Sequence, residues 1–153
     1  MRVFRDERRF GYFLATMFAA SMFLGGCGAT INYSYDPVAD FSTGKNYSWA
    51  SGSLTNRQEP LIEKNVRYYA DQSLKDKGFI QTPDKPDFMI SMNYEPEYSE
   101  PYKVRLLNLY VYRNQGKELI WQGTAGGTIK ADAASPDLAD AVKKILTNFP
   151  PKR

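Results

Sequence analysis

The chain has one cysteine and no histidine in 153 residues. Those two facts remove most of the usual active-site chemistry. Imidazole is the commonest general base and metal ligand near neutral pH. Without it, neither a Ser-His-Asp nor a Cys-His nucleophile assembles within one chain. A zinc site would need carboxylates alone, against the metal's preference for nitrogen and sulfur. Asp36 and Asp40 have the short spacing of a carboxylate pair, but beside Pro37 they read as turn-formers that accept backbone N–H bonds. Gly44-Lys45 has the tail of a phosphate-binding loop, yet the earlier glycine is missing and Asn46 stands where Ser or Thr is required. Gly123-Thr124-Ala125-Gly126-Gly127 is glycine-rich, but it follows a strand pattern without a helix start, so a bent strand or close backbone packing is expected. The expectation is a non-enzyme with no catalytic residues, no metal and no cofactor.

The single thiol has a more specific context. Arg2, Arg5, Arg8 and Arg9 precede an apolar run over residues 10–24. A helix of that length rises about 22 Å, short of the ~30 Å hydrocarbon core, so the run reads as a signal-peptide hydrophobic region. Leu24-Gly25-Gly26-Cys27 follows and resembles the lipobox of bacterial lipoproteins. The aliphatic residue and the two small ones suit a signal-peptidase site, and the thiol accepts the acyl group. Residues 1–26 are therefore expected to be a signal peptide recognised at Leu24, Gly25 and Gly26. Cys27 is expected to be the lipidated, palmitate-bearing first residue of the mature protein. Two acyl chains already give stable membrane attachment. Gly28 stands where an aspartate would retain a Gram-negative lipoprotein in the inner membrane. The resemblance thus places the protein on the inner leaflet of the outer membrane, facing the periplasm.

The mature part has 127 residues, with sixteen basic and fifteen acidic side chains. That is one domain's length and enough for a core without disulfides. A net charge near +1 gives no electrostatic case for nucleic acid. The expected layout is a tether over residues 27–30 and one domain over residues 31–151.

Ile31, Tyr33 and Tyr35 alternate with Asn32 and Ser34, the period of a half-buried strand. Tyr47 and Trp49 give a second short strand. Pro60 opens a helix, with Glu59 or Asn56 as its cap and Leu61, Ile62, Val66, Tyr69, Ala70 and Leu74 as its apolar stripe. Gly78 should end it in the left-handed conformation, with Phe79 folding back on Leu74. Phe88, Ile90, Met92 and Tyr94 mark a strand. A Pro- and Glu-rich loop over residues 95–102 follows, then a strand over 104–112. Gly116 supplies a hairpin turn, and a strand over 119–130 is bent or bulged at Gly126-Gly127. Ser135 and Pro136 start a second helix, whose stripe is Leu138, Ala141, Val142, Ile145, Leu146 and Phe149. The predicted fold is α+β: an antiparallel sheet of about five strands with two helices on one face, in the order strand-strand-helix-strand-strand-strand-helix.

Ten of the eleven tyrosines lie in the mature part. Tyrosine is a good strand former, so most belong to the sheet and the edge of its core. A tyrosine buries area and bonds outward through its hydroxyl, which also suits protein contact. Tyr94, Tyr98 and Tyr102, on and beside the Glu/Pro loop, are the candidate interaction surface. The expected function is a membrane-anchored envelope module that binds or scaffolds an envelope protein, without catalysis. The alternative is a periplasmic carrier of a small molecule or lipid, suggested by the apolar run over residues 106–111 under an open sheet face.

Seven stretches then suggest a family. Tyr35-Asp36-Pro37, Asp40-Phe41-Ser42 and Lys45-Asn46-Tyr47-Ser48-Trp49 resemble the opening pattern of the domain-of-unknown-function 4136 family of bacterial lipoproteins. Lys77-Gly78-Phe79, Pro86-Asp87-Phe88, Leu119-Ile120-Trp121-Gln122-Gly123 and Phe149-Pro150-Pro151 resemble its later landmarks, in order. Asn46 and Gln122 stand where Thr and Arg are expected. The resemblance implies an α+β envelope domain behind a lipobox and transfers no catalytic residue.

Cys27→Ser is expected to abolish palmitate labelling and block cleavage before residue 27, read by metabolic labelling and mass spectrometry. The unaltered protein should fractionate with outer membranes; recovery in the inner membrane would refute the reading of Gly28.

Overall fold

The computed structural model describes residues 28–50, 59–115, 117–133 and 135–152. The expected signal peptide, with Leu24, Gly25, Gly26 and Cys27, lies outside the described residues, as do Asn56 and Gly116. The strands are β1 (Thr30–Tyr35), β2 (Asn46–Trp49), β3 (Ile80–Gln81), β4 (Phe88–Pro96), β5 (Lys103–Arg113) and β6 (Glu118–Lys130). The helices are α1 (Pro60–Asp76), between β2 and β3, and α2 (Asp137–Thr147), after β6.

The six strands form one sheet in the order β1-β6-β5-β4-β2-β3. From β1 to β4 every pairing is antiparallel, whereas β2 runs parallel to both β4 and β3. The sheet is therefore mixed and six-stranded, not antiparallel with five. The reason lies in α1. It carries the chain back to the end of the sheet where β2 began, and a strand reached by such a crossover lies parallel to the first. β3 has only two residues, too few to show an alternation. Its backbone still binds, with Ile80 N–H donating to Lys45 O at 2.8 Å and Thr82 N–H to Tyr47 O at 2.8 Å.

Local chemistry sets the helix ends. Gly78 takes φ +81. Phe79 N–H donates to Leu74 O at 3.0 Å and Gly78 N–H to Lys75 O at 2.9 Å, the paired bonds of a Schellman ending. Glu59 is the N-cap of α1 by position, but its side chain does not cap. Instead its backbone N–H donates to the Tyr94 hydroxyl at 2.5 Å. At α2, Ser135 Oγ accepts the Asp137 N–H at 3.2 Å, and Pro136 is the cap residue rather than the first helical one. Two register shifts bend β5 against β6, and Gly127 in the first has φ +131, which a side chain would resist. In the β5–β6 turn, Lys117 takes φ +54.

Both helices cover the same face of the sheet. Ile62, Val66, Ala70 and Leu74 of α1 are buried, as are Leu138, Ala141, Val142, Ile145 and Leu146 of α2. They meet Tyr47, Phe88, Ile90, Met92, Leu107, Leu109, Val111, Trp121 and Ala125 in a single core. Both helices start at the sheet end where β1 starts and finish at the opposite end. There the Lys77 ammonium donates to Thr147 O at 3.3 Å, linking their C-termini.

That opposite end is closed by aromatic rings. The Phe149 centroid lies 5.2 Å from Trp121, 5.4 Å from Phe79, 6.1 Å from Phe41 and 6.2 Å from Phe88. Each partner comes from a different part of the chain. Phe149→Ala is expected to cost about 3–5 kcal/mol of stability and Phe149→Leu distinctly less, measured by urea unfolding. Equal effects would show that the ring itself, not the volume it fills, matters there.

Candidate functional site

The buried polar groups mostly have structural tasks. Asp71 on α1 accepts from the Tyr47 hydroxyl at 2.7 Å and from Trp49 Nε1 at 2.8 Å. Arg67, one turn earlier, lies 5.1 Å over the Trp49 ring and pairs with Glu63 at 2.6 Å. This joint fastens α1 to β2. Burial, then the bond to Asp71 and the carboxylate's charge, push the Tyr47 hydroxyl far above the usual phenol range. Sequence reading missed Asp71, because a polar residue beside an apolar stripe looks the same whether it faces water or two strand donors.

The other carboxylates act on backbone. Asp36 Oδ1 accepts Val38 N–H at 2.9 Å, and Asp40 Oδ1 accepts Ser42 N–H at 2.9 Å, the turn chemistry expected of them. Asp87 Oδ2 accepts the N–H groups of Lys45 and Asn46, both at 2.9 Å, and so sets where β2 meets β4. Gly44 is small for a packing reason: a Cβ there would lie 2.6 Å from the Phe88 ring. At Gly123 a Cβ would collide with Trp121 and Ile145. Both glycine signals thus mark close packing. Among the described residues, no cluster of three or more Asp, Glu, Cys or His could hold a metal ion.

The three candidate contact tyrosines separate. Tyr94 is 1% exposed and belongs to the core, with its hydroxyl on Glu59, so it is corrected out of the interaction surface. Alternation already set Tyr94 in line with Phe88, Ile90 and Met92, the face that the helices cover. Tyr98 is 80% exposed and Tyr102 is 43% exposed, both on the β4–β5 connection. Tyr102 has φ +57, and its carbonyl accepts the Ala131 N–H at 2.6 Å, which ties the connection to the end of β6. The apolar run over residues 106–111 also divides. Leu107, Leu109 and Val111 are in the core under the helices, and only Leu106, Asn108 and Tyr110 turn to the other face.

That other face carries two rows of neutral hydrogen-bonding side chains. Register places Asn32, Thr124, Asn108 and Asn93 in one row, and Ser34, Gln122, Tyr110 and Ser91 in the next. Thr124 Oγ1 donates to Asn108 Oδ1 at 2.8 Å. Ser91 is 8% exposed, and neither its Oγ nor Asn93 Oδ1 has a protein partner. Burial and the neighbouring Tyr112 raise the Tyr110 hydroxyl above its ordinary value. The alternation of Ser91 and Asn93 with core residues was the signal for this face. No described helix is long and apolar enough to cross a membrane.

A family profile described as Domain of unknown function (DUF4136) matches residues 31–151. The chain belongs to this family. The stretches through which it resembles DUF4136 proteins supply Phe41, Phe79, Phe88, Trp121 and Phe149 of the aromatic closure, with Tyr47, Trp49 and Asp87 at the β2 joint. No curated protein matches the sequence. Among solved structures, the chain is similar to the PelC dodecamer from Paraburkholderia phytofirmans, at 13% identity and TM-score 0.60, covering 82% of this chain and 99% of that one. It is also similar to a PDZ domain protein from Parabacteroides distasonis ATCC 8503, at 13% identity and TM-score 0.58, covering 82% of this chain. There it spans only 36% of the other protein. At these identities the likeness is one of fold.

The Tyr47 hydroxyl gives a pH signature. Its folded-state value is raised, so its contribution to stability is complete below the unfolded value of 10.0 and is lost as pH rises above it. Alkaline unfolding above pH 10 should therefore be shallower in Tyr47→Phe than in the unaltered protein, followed by circular dichroism. Identical alkaline slopes would remove Tyr47 from the account.

Proposed function

We propose that the protein is a lipid-anchored envelope module that docks another envelope component without catalysis. The observation that carries this reading is the neutral, hydrogen-bonding sheet face opposite the helices. It presents Asn32, Gln122, Tyr110 and Asn93 side by side, with the unpartnered Ser91 Oγ among them. The Ser91 Oγ lies just beneath this surface, and the amides and hydroxyls around it are the donors and acceptors a docked polar group would use. Neutral side chains with both donors and acceptors suit a polar protein surface better than an anion or a lipid tail. The expected lipobox at Cys27 supplies the membrane attachment, and Gly28 favours the outer membrane.

The dodecameric PelC gives a second reading, in which the docked component is another copy of the chain. One experiment addresses both. In-cell cross-linking of the full chain should capture one dominant species, either a distinct protein or a ladder of copies. Its yield should fall roughly tenfold in Gln122→Arg, the effect of about 1.4 kcal/mol at the contact. That exposed-face change should leave the unfolding midpoint within about 0.5 kcal/mol. Undiminished capture would exclude this face.

A further inference from the structure

The register of the sheet shows what stands at the end from which β1 emerges. Thr30 pairs with Gly126, Leu106 lies opposite Gly126, and Glu95 lies opposite Leu106. These four residues form one row across β1, β6, β5 and β4. Beyond that row, β5 extends through Arg105 and Val104 to Lys103, a further three residues and about 10 Å. The connection bearing Tyr98 and Tyr102 caps this extension. The chain before Thr30 heads the same way: a Cβ built on Gly127 would lie 3.6 Å from Ala29 Cα, so Ala29 follows β6 past the row. From Thr30 back to Cys27 is three residues, also about 10 Å when extended. The hairpin tip therefore projects about as far as the chain needs to reach Cys27.

We propose that Tyr98 and Tyr102 seat this hairpin tip in the interface of the membrane that holds the Cys27 acyl chains. The proposal rests on the lipid-anchor reading and adds a second, protein-borne membrane contact. Tyrosine suits that position, with a ring for the acyl boundary and a hydroxyl for the headgroups. Tyr98 is 80% exposed, so burial in the core does not account for an aromatic ring there. The acidic residues around it do not stand alone. Glu100 pairs with Lys103, and Glu95 and Glu97 each lie 3.8 Å from Arg105. A headgroup layer therefore meets a tip whose three carboxylates are offset by two cations, which leaves a net charge of only −1.

A photo-reactive diazirine amino acid placed at position 98 of the full chain, expressed in cells, tests this directly. Position 38 is the control: Val38 is 85% exposed and follows the opposite end of β1. After irradiation, mass spectrometry reads both the adduct and the acylation of the Cys27 peptide. With Cys27 acylated, phospholipid adducts should be about tenfold more abundant at 98 than at 38, a ratio well beyond random encounter. Acylated protein with equal adducts at the two positions, or with a protein adduct at 98, overturns the membrane seat and leaves the anchor standing. An unacylated Cys27 removes the anchor, and the proposal with it.

Discussion

The packing of one ring, Phe149, holds the architecture together. It follows α2 at the very end of the domain, yet it touches rings from the β1–β2 connection, the end of α1, β4 and β6. A ring in that position fixes where α2 stops relative to the sheet. It also brings the two helices to the same end, side by side and pointing the same way. Parallel helices place like dipole ends together, at a cost of some tenths of a kcal/mol. The chain offsets this with basic residues: Lys75 and Lys144 lie in the last turns, and Lys77 reaches across to Thr147. Burial of Lys77, with Lys152 nearby, holds its ammonium below the ordinary lysine value, as expected where cations gather around two helix C-termini.

The second constraint is the seam between β2 and β4. A four-residue strand added in parallel gains few ladder bonds, so other contacts must hold it. Asp87 grips its first two N–H groups, and Asp71 takes the side-chain donors of Tyr47 and Trp49. Lys45, just before the strand, lies 5.0 Å over the Phe79 ring. The family landmarks in this part of the chain are thus explained by how β2 is held. They need no shared ligand to account for them.

Features decided within a few residues were legible in the sequence. The left-handed Gly78, the turns at Asp36 and Asp40, the bulge at Gly126-Gly127 and the stripes of both helices follow from local spacing, except that Leu61, expected in the first stripe, is exposed in the first turn of α1. Features decided by distant partners were not. Nothing in Tyr47-Ser48-Trp49 says which way that strand runs beside a strand forty residues later. Ile80–Gln81 is too short to carry a period. The pattern around Tyr94 put it in line with the core residues of β4, while Tyr98, four residues on and past the strand, stayed outside. The polar face was written in Ser91, Asn93, Asn108, Gln122 and Thr124, yet only the register of three strands brings them together.

β1 joins the sheet through β6 alone, over six paired positions from Thr30 to Tyr35. It is also the first strand of the described chain, and so the one that the proposed tether would load. Tension arriving through Ala29 runs along the strand axis and loads those hydrogen bonds in shear, all at once. The same strand pulled from its side would open like a zipper, one bond at a time. The order of the strands thus gives this small domain a mechanically resistant attachment, in the direction from which a tether would pull.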